Sequence, residues 1–353
     1  MKKSLTAVAV LSAIALPFAA QAVDEAELYG KFNVSAAYVD NDDDVDAADS
    51  IYLATSSSRI GIKGGKDLKA GLKASWQIEN AIYFGQNAAG EGGRWGYRNT
   101  YVALSGGFGT LLAGRYDTPF KDARSKVDFF KEQPGDSRTL VKLKVKSKTN
   151  HTPTSRGWDE RGNGFLYKSP SFSGASIYAQ AEPGNGEAVP LASTALVYKM
   201  GKSLFASVAY EVHNTAPENE TGLRAAAKYS MGAISVGGFV QQISDQAGVA
   251  DETRTSFGAG AAYKMGGTTL KTQYLATGDT DLEADSDGSL IALGVDQKLG
   301  KMTKAYVTYT MTMNGKNAKF DATSAGYDTG GRIDGPAKGK DQMLIALGLI
   351  HAF

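Results

Sequence analysis

Between Asp117 and Arg161 the chain gathers eleven lysines and arginines against seven carboxylates, within 45 residues. The basic residues include Lys121, Arg124, Lys131 and Arg138; the acids include Asp117, Asp128, Glu132 and Asp136. Fixed ammonium and guanidinium groups at that density attract small anions, and low-dielectric surroundings focus the field of a few charges above that of the whole molecule. The whole molecule is close to neutral, with Lys+Arg 38 against Asp+Glu 37 in 353 residues. That balance argues against general nucleic-acid binding, which needs a basic face.

Other chemistry is poorly supported. The chain has no cysteine, which removes disulfides, thiolate metal sites and a cysteine nucleophile. His151, His213 and His351 are the only histidines, and their spacing does not suit a metal. No motif supports a Ser/His/Asp arrangement of the kind a lipase barrel would use. Gly90-Glu91-Gly92-Gly93 has no helix after it to make a phosphate cradle. The stretch Glu283-Ala284-Asp285-Ser286-Asp287-Gly288 looks calcium-like, but it starts on Glu, and Gly294 stands where the closing bidentate Glu belongs. Neither a cofactor nor enzymatic activity is expected.

The elements that would position the charges read as strands. Residues 1–22 have two lysines, a short apolar run and Ala20-Gln21-Ala22, the pattern of an export signal cleaved before Val23. Residues 23–353 hold no long apolar run, and the mean hydropathy is −0.25, so a helical membrane protein is excluded while a membrane β-barrel is not. Sixteen short alternating segments are expected, near 27–40, 50–64, 70–84, 97–105, 109–116, 163–172, 174–182, 193–201, 202–213, 222–231, 233–243, 254–265, 268–278, 289–299, 302–313 and 341–353. Tight glycine links such as Met200-Gly201-Lys202-Ser203 and Met231-Gly232-Ala233 alternate with long polar stretches, as at the two rims of a barrel. In the segment after Lys301, Ala305, Val307, Tyr309, Met311 and Met313 fall on one side, and Lys304, Tyr306, Thr308, Thr310 and Thr312 on the other. A soluble sandwich also alternates, but many residues on the apolar side are Ala or Gly, which suit lipid contact and fill a core poorly. Tyr29, Tyr38, Tyr83, Trp95, Tyr116 and Tyr210 stand near strand ends, where interfacial girdles belong. The last segment ends on the ring of Phe353, and pairing with the first segment would abolish the open edge.

Taken in order, Leu28-Tyr29-Gly30-Lys31, Ser58-Arg59-Ile60-Gly61-Ile62-Lys63-Gly64, Gly71-Leu72-Lys73-Ala74-Ser75-Trp76-Gln77-Ile78-Glu79, Gly114-Arg115-Tyr116-Asp117-Thr118-Pro119, Tyr167-Lys168-Ser169-Pro170 and Gly348-Leu349-Ile350-His351-Ala352-Phe353 resemble the general porin family of Gram-negative outer membranes, in its trimeric branch. The resemblance implies an all-β, sixteen-stranded antiparallel barrel with a long third loop, 117–161, folded into the lumen. It also implies a homotrimer in the outer membrane, among lipid and lipopolysaccharide, passing ions and small hydrophilic solutes. Phe353 would be the signal read by the barrel assembly machinery.

On the wall, the alternation turns Arg59, Lys63, Lys73, Arg115 and Lys168 inward, together with Gln77 and Glu79, because an arginine or lysine facing mid-membrane lipid costs about 2–4 kcal/mol. The expected neck sets these basic groups across a gap from carboxylates such as Asp128, Glu132 and Asp136, with a weak to moderate preference for anions. The acidic first loop, Asp40 to Asp46, opposes that preference only within a screening length of about 10 Å. Val141-Lys142-Leu143-Lys144-Val145-Lys146-Ser147-Lys148 alternates like a strand: either a small hairpin trapping phosphate-like anions, or a solvated rim touching lipopolysaccharide. The alternatives to a diffusion channel are a phosphate-selective porin and a plugged structural or adhesive barrel.

Overall fold

Along residues 303–314 the side chains of Thr308, Thr310 and Thr312 are fully buried, while those of Val307 and Met313 are 46% and 39% exposed. Oily side chains outside and polar ones inside is the reverse of a soluble sheet, and the pattern recurs around the molecule. Val208 and Tyr210 are exposed where Ser207, Ala209, Glu211 and His213 are buried; Ile345, Leu347 and Leu349 are exposed where Gln342, Leu344 and Ala346 are buried.

The structure, a computed structural model, describes residues 25–42, 50–83, 95–142, 158–184, 190–214, 218–246, 249–323, 327–328 and 335–353. The first wall strands are β1 (Glu25–Asn41), β2 in two segments (Ser50–Ser56 and Arg59–Asp67), β3 (Lys73–Ala81), β4 (Thr100–Gly106) and β5 (Gly109–Asp117). They continue through β6 (Arg161–Lys168), β7 (Ala175–Ala181), β8 (Leu191–Met200), β9 (Leu204–His213), β10 (Glu220–Met231) and β11 (Ile234–Ser244). The last are β12 (Arg254–Met265), β13 (Thr268–Thr277), β14 (Gly288–Lys298), β15 (Thr303–Asn314) and β16 (Gln342–Ala352). Each is antiparallel to its sequence neighbour, and β16 returns to β1 in a ladder running from Lys31↔Ala352 to Asn41↔Gln342. The result is a closed sixteen-stranded barrel without a free edge, which satisfies the backbone in lipid. No helix among the described residues is long and apolar enough to cross a membrane.

Every expected strand is present. The links at Gly201, Gly232 and Gly266 hold φ near +57°, a region that only glycine enters freely and that two-residue hairpins require. The second strand is interrupted at Ser57, whose φ is +54°, and the third begins at Lys73 because Leu68–Leu72 is a tight turn. In the last long connection, Tyr327–Asp328 pairs with Thr55 and Ser56. The wall is uneven: β3 to β7 run 7 to 9 residues and β8 to β16 run 10 to 12.

The third long connection is described over 118–142 and 158–160 and carries two short helices, α1 (Pro119–Ser125) and α2 (Arg138–Val141). Thr118 caps α1 by accepting from the backbone N–H of Lys121, and Pro119 takes the first helical position, where its missing N–H costs nothing. The strand-like reading of 141–148 fails at its start, since Val141 closes α2 and Lys142 is the helical cap; residues 143–148 lie outside the described residues, as does the export signal.

Candidate functional site

The third connection is held against the inward face of the wall. Phe120 and Ala123 of α1 pack with Trp158 against Ala195, Val197, Ala209 and Ile243. Val127, Phe130, Leu140 and Val141 pack against Ala226, Phe239, Leu275, Leu290 and Ala292. The inner surface is therefore apolar where it receives this segment. Gly260 and Gly294 leave room for the rings of Phe129 and Phe130, whose atoms would lie 2.5 and 2.8 Å from a Cβ at those positions.

Charge fixes the same segment. Arg124 bonds Asp128 at 2.6 Å and Asp159 at 2.8 Å, and Arg224 of β10 reaches the other oxygen of Asp159 at 2.7 Å. Arg224 also donates to the carbonyl of Phe120 at 2.7 Å and lies over its ring. All four side chains are sealed from solvent, so each charge must be satisfied by the others. Burial and the nearby Asp136 push the Asp128 carboxyl up; Asp136, despite its own burial, is held well below the usual range by Arg138 and Arg124.

On the β1 to β3 side Glu132 ties the loop to the wall. It pairs with Lys31 and with Arg59, the latter at 2.8 Å, while Asn33 donates to its backbone carbonyl. Burial opposes its ionisation, yet Arg59 and Lys31 hold its carboxyl down to about 2. Glu79 extends the chain of charges, accepting from Arg98 at 2.7 Å and from Tyr29 at 3.1 Å, with Arg59 at 3.4 Å. Beyond it, Asp117 is shared by Lys121 at 2.8 Å and Arg161 at 3.3 Å, and Lys142 pairs with Glu160. Burial pushes the Lys121 ammonium down to about 8 against the pull of Asp117. Two polar cavities open among these groups. One, of about 130 Å³, is lined by seven cationic side chains and four carboxylates. The other, of about 210 Å³, is lined by Arg98, Lys121, Arg138, Lys142 and Arg161 against Glu160 alone, beside Tyr83 and Tyr97.

Of the expected site residues, Arg59, Glu79, Asp117, Lys121, Arg124, Lys131, Glu132, Asp136 and Arg138 all border the smaller cavity. Gln77 turns inward and donates to the carbonyl of Asn99. Lys63 pairs with Glu27 at 3.1 Å, Lys168 lies over the ring of Tyr116, and Lys73 is exposed near the short-turn rim. Asp128 and Asp136 do not look across a gap, because Arg124, Ser137 and Arg138 already occupy their oxygens. Arg115 falls on the exposed side with Leu111 and Ala113, opposite Asn163, and donates to Asn163 and to the carbonyl of Tyr97. The cause is Leu112: with Ala103, Leu166 and an inward Tyr116 it makes the inner face apolar here, so hydrophobicity does not set the phase of the alternation. Tyr116 and Tyr29 accordingly face inward and are not girdle residues, whereas Tyr210 is exposed as expected. Sequence reasoning missed Lys31, Arg98 and Arg224. Lys31 and Arg224 could have been found from their inward phase in β1 and β10; Arg98, just before β4, carries no such signal.

Ser286 and Asp287 of the calcium-like stretch donate their backbone N–H groups to Asp279 Oδ1, so the turn is closed by a hydrogen-bonded carboxylate. No cluster of metal-ligating residues occurs among the described residues.

The family model described as Gram-negative porin matches residues 7–317. Over its full length the chain is 29% identical to the whole of outer membrane porin protein 32 of Delftia acidovorans. It is 27% identical to major outer membrane protein P.IB of Neisseria gonorrhoeae, over 90% of this chain and 95% of that one. An anion-selective porin from Comamonas acidovorans has a similar structure, with a TM-score of 0.76 and 24% identity over 93% of this chain and 99% of that one. With its inside-out wall and closed ladder, the chain belongs to the Gram-negative porin family and is an outer-membrane porin.

Proposed function

We propose that this porin is a passive diffusion channel for ions and small hydrophilic solutes that favours anions, and that the third loop narrows its lumen. The supporting observation is the imbalance around the two cavities, which share four cations: eight cations to five carboxylates over both together. Each ion pair is close to neutral at a distance, so the cations in excess of the carboxylates are what a passing ion meets. In a narrow aqueous passage with low-dielectric walls those groups set the sign of the field. The selectivity in the name of the Comamonas porin agrees with this sign.

The working form is a homotrimer among lipid and lipopolysaccharide, reached by cleavage of residues 1–22 and by recognition of Phe353 during barrel assembly. Purified protein in a planar bilayer under a KCl gradient tests the reading. A reversal potential of the anion-selective sign is expected. A cation-selective sign overturns the preference, and electrically silent protein overturns the channel.

A further inference from the structure

A second group of cations lies away from the arginine cluster, towards the short turns. Lys168, at the end of β6, faces inward with its ammonium over the rings of Tyr116 and Tyr178, at 4.6 and 5.2 Å. Lys199 of β8 and Lys228 of β10 both pair in register with Phe205 of β9, so they share one inward row two strand spacings apart, about 10 Å. Lys228 lies over the ring of Phe129 from the third loop. Lys126, which follows α1, sits close enough to act on Lys168 and pairs with the half-buried Asp122 of its own helix, at 3.4 Å, a carboxylate that also acts on Lys168.

Among the described residues the three wall lysines of this group lack ion-pair partners, as do Lys73, Lys264 and Lys298 on the inward phase of other strands, and they differ from those in being gathered beside aromatic rings. Lys271 and Lys304 share Asp296 at 3.1 and 2.7 Å, and Lys63 has Glu27. Among the described residues, Lys168, Lys199 and Lys228 pair with no carboxylate; their neighbours are aromatic rings. Asp122 and Asp117 act on Lys168, and Asp128 on Lys228, only from beyond ion-pair distance, so the ammonium groups still repel one another, and an anion that reaches all of them relieves that repulsion.

We propose that Lys168, Lys199 and Lys228, with Lys126, form a site at the short-turn mouth for linear polyanions such as a condensed phosphate chain. The flexible lysine stems close the row onto a chain shorter than its 10 Å backbone spacing, and Tyr178 adds a hydroxyl donor beside Lys168. The site rests on the barrel being open to solutes at that mouth, but not on the sign of selectivity set by the arginine cluster.

The test uses inorganic tripolyphosphate on single channels. Because the chain lacks cysteine, Lys301→Cys at a turn tip, biotinylated through its thiol, marks the short-turn mouth by streptavidin block. Half-block from that side is expected at a concentration at least tenfold lower than from the long-loop side. In the Lys199→Gln/Lys228→Gln variant that concentration should rise at least fivefold, with the KCl reversal potential keeping its anion-selective sign. Equal block from both mouths, or block that the variant leaves intact, overturns the site. Calorimetry of tripolyphosphate with folded protein in detergent, wild type against the double variant, decides the same point without conductance: weaker binding in the variant supports the site, unchanged binding refutes it.

Discussion

Gly30 and Phe353 exchange both backbone hydrogen bonds, at 2.9 and 3.1 Å, and the terminal ring fills the space a side chain at position 30 would need. A Cβ there would come within 2.2 Å of the ring, which also stacks on Phe32 with centroids 5.8 Å apart. The absence of a side chain at 30 is what lets the last residue lie flat across the seam. Gly30→Val is expected to destabilise the barrel by about 1–3 kcal/mol through overpacking. Adding Phe353→Ala removes the clash, so the double variant should be more stable than the two single losses predict. Urea midpoints of the four chains in lipid vesicles give the cycle.

Asp159 stands between two buried guanidiniums. Asp159→Asn leaves Arg124 and Arg224 short of a charge in a sealed site, a loss of about 3–5 kcal/mol. The third loop should come away from β10, seen as faster proteolysis near residues 118–142 and as noisier single-channel current. Unchanged protease resistance would refute the anchor.

The anion preference should fall as pH rises through about 8. Lys121 is charged below its lowered pKa and neutral above it, in a surround of Asp117, Arg161, Arg138 and Glu160. Reversal potentials from pH 6 to 9.5 follow the change. Lys121→Gln should show at pH 6 the weaker preference that wild type reaches at high pH, with a flatter profile.

Glu132 moves the preference in the same direction, at the acid end of the scale. Its pKa is lowered, so its tie to Arg59 and Lys31 is complete above the ordinary carboxylate range, near 4.5, and is lost as pH falls towards 2. Glu132→Gln should mimic the acid state at neutral pH, raising the anion preference by one uncompensated positive charge and loosening the loop from β1 and β2. Conductance and reversal potential, measured together in the variant at neutral pH and in wild type taken below pH 2, test the equivalence.

The wall was legible because lipid outside and polar groups inside impose a period of two, and Thr308, Thr310 and Thr312 keep that phase without error. Legibility stopped where the wall strands themselves build an apolar inner face: Leu112 and Tyr116 look like lipid-facing residues but are not, and Arg115 was turned the wrong way. The neck was legible as composition and not as arrangement. Which carboxylates stay available depends on contacts between residues far apart in the chain, such as Asp159 with Arg224. Asp128 was spent on Arg124 within its own loop, and of Asp128, Glu132 and Asp136 only Glu132 pairs with a cation of the wall among the described residues.

The unequal strand lengths have a consequence for the surrounding bilayer. At about 3.3 Å per residue and a tilt near 45°, a strand of twelve residues rises about 28 Å, close to the thickness of the hydrocarbon layer, while one of seven rises about 16 Å. Around β3 to β7 an isolated barrel would pinch the acyl chains inward. A neighbouring barrel seated against that low flank would spare the lipid the deformation, making hydrophobic mismatch itself a force for assembly.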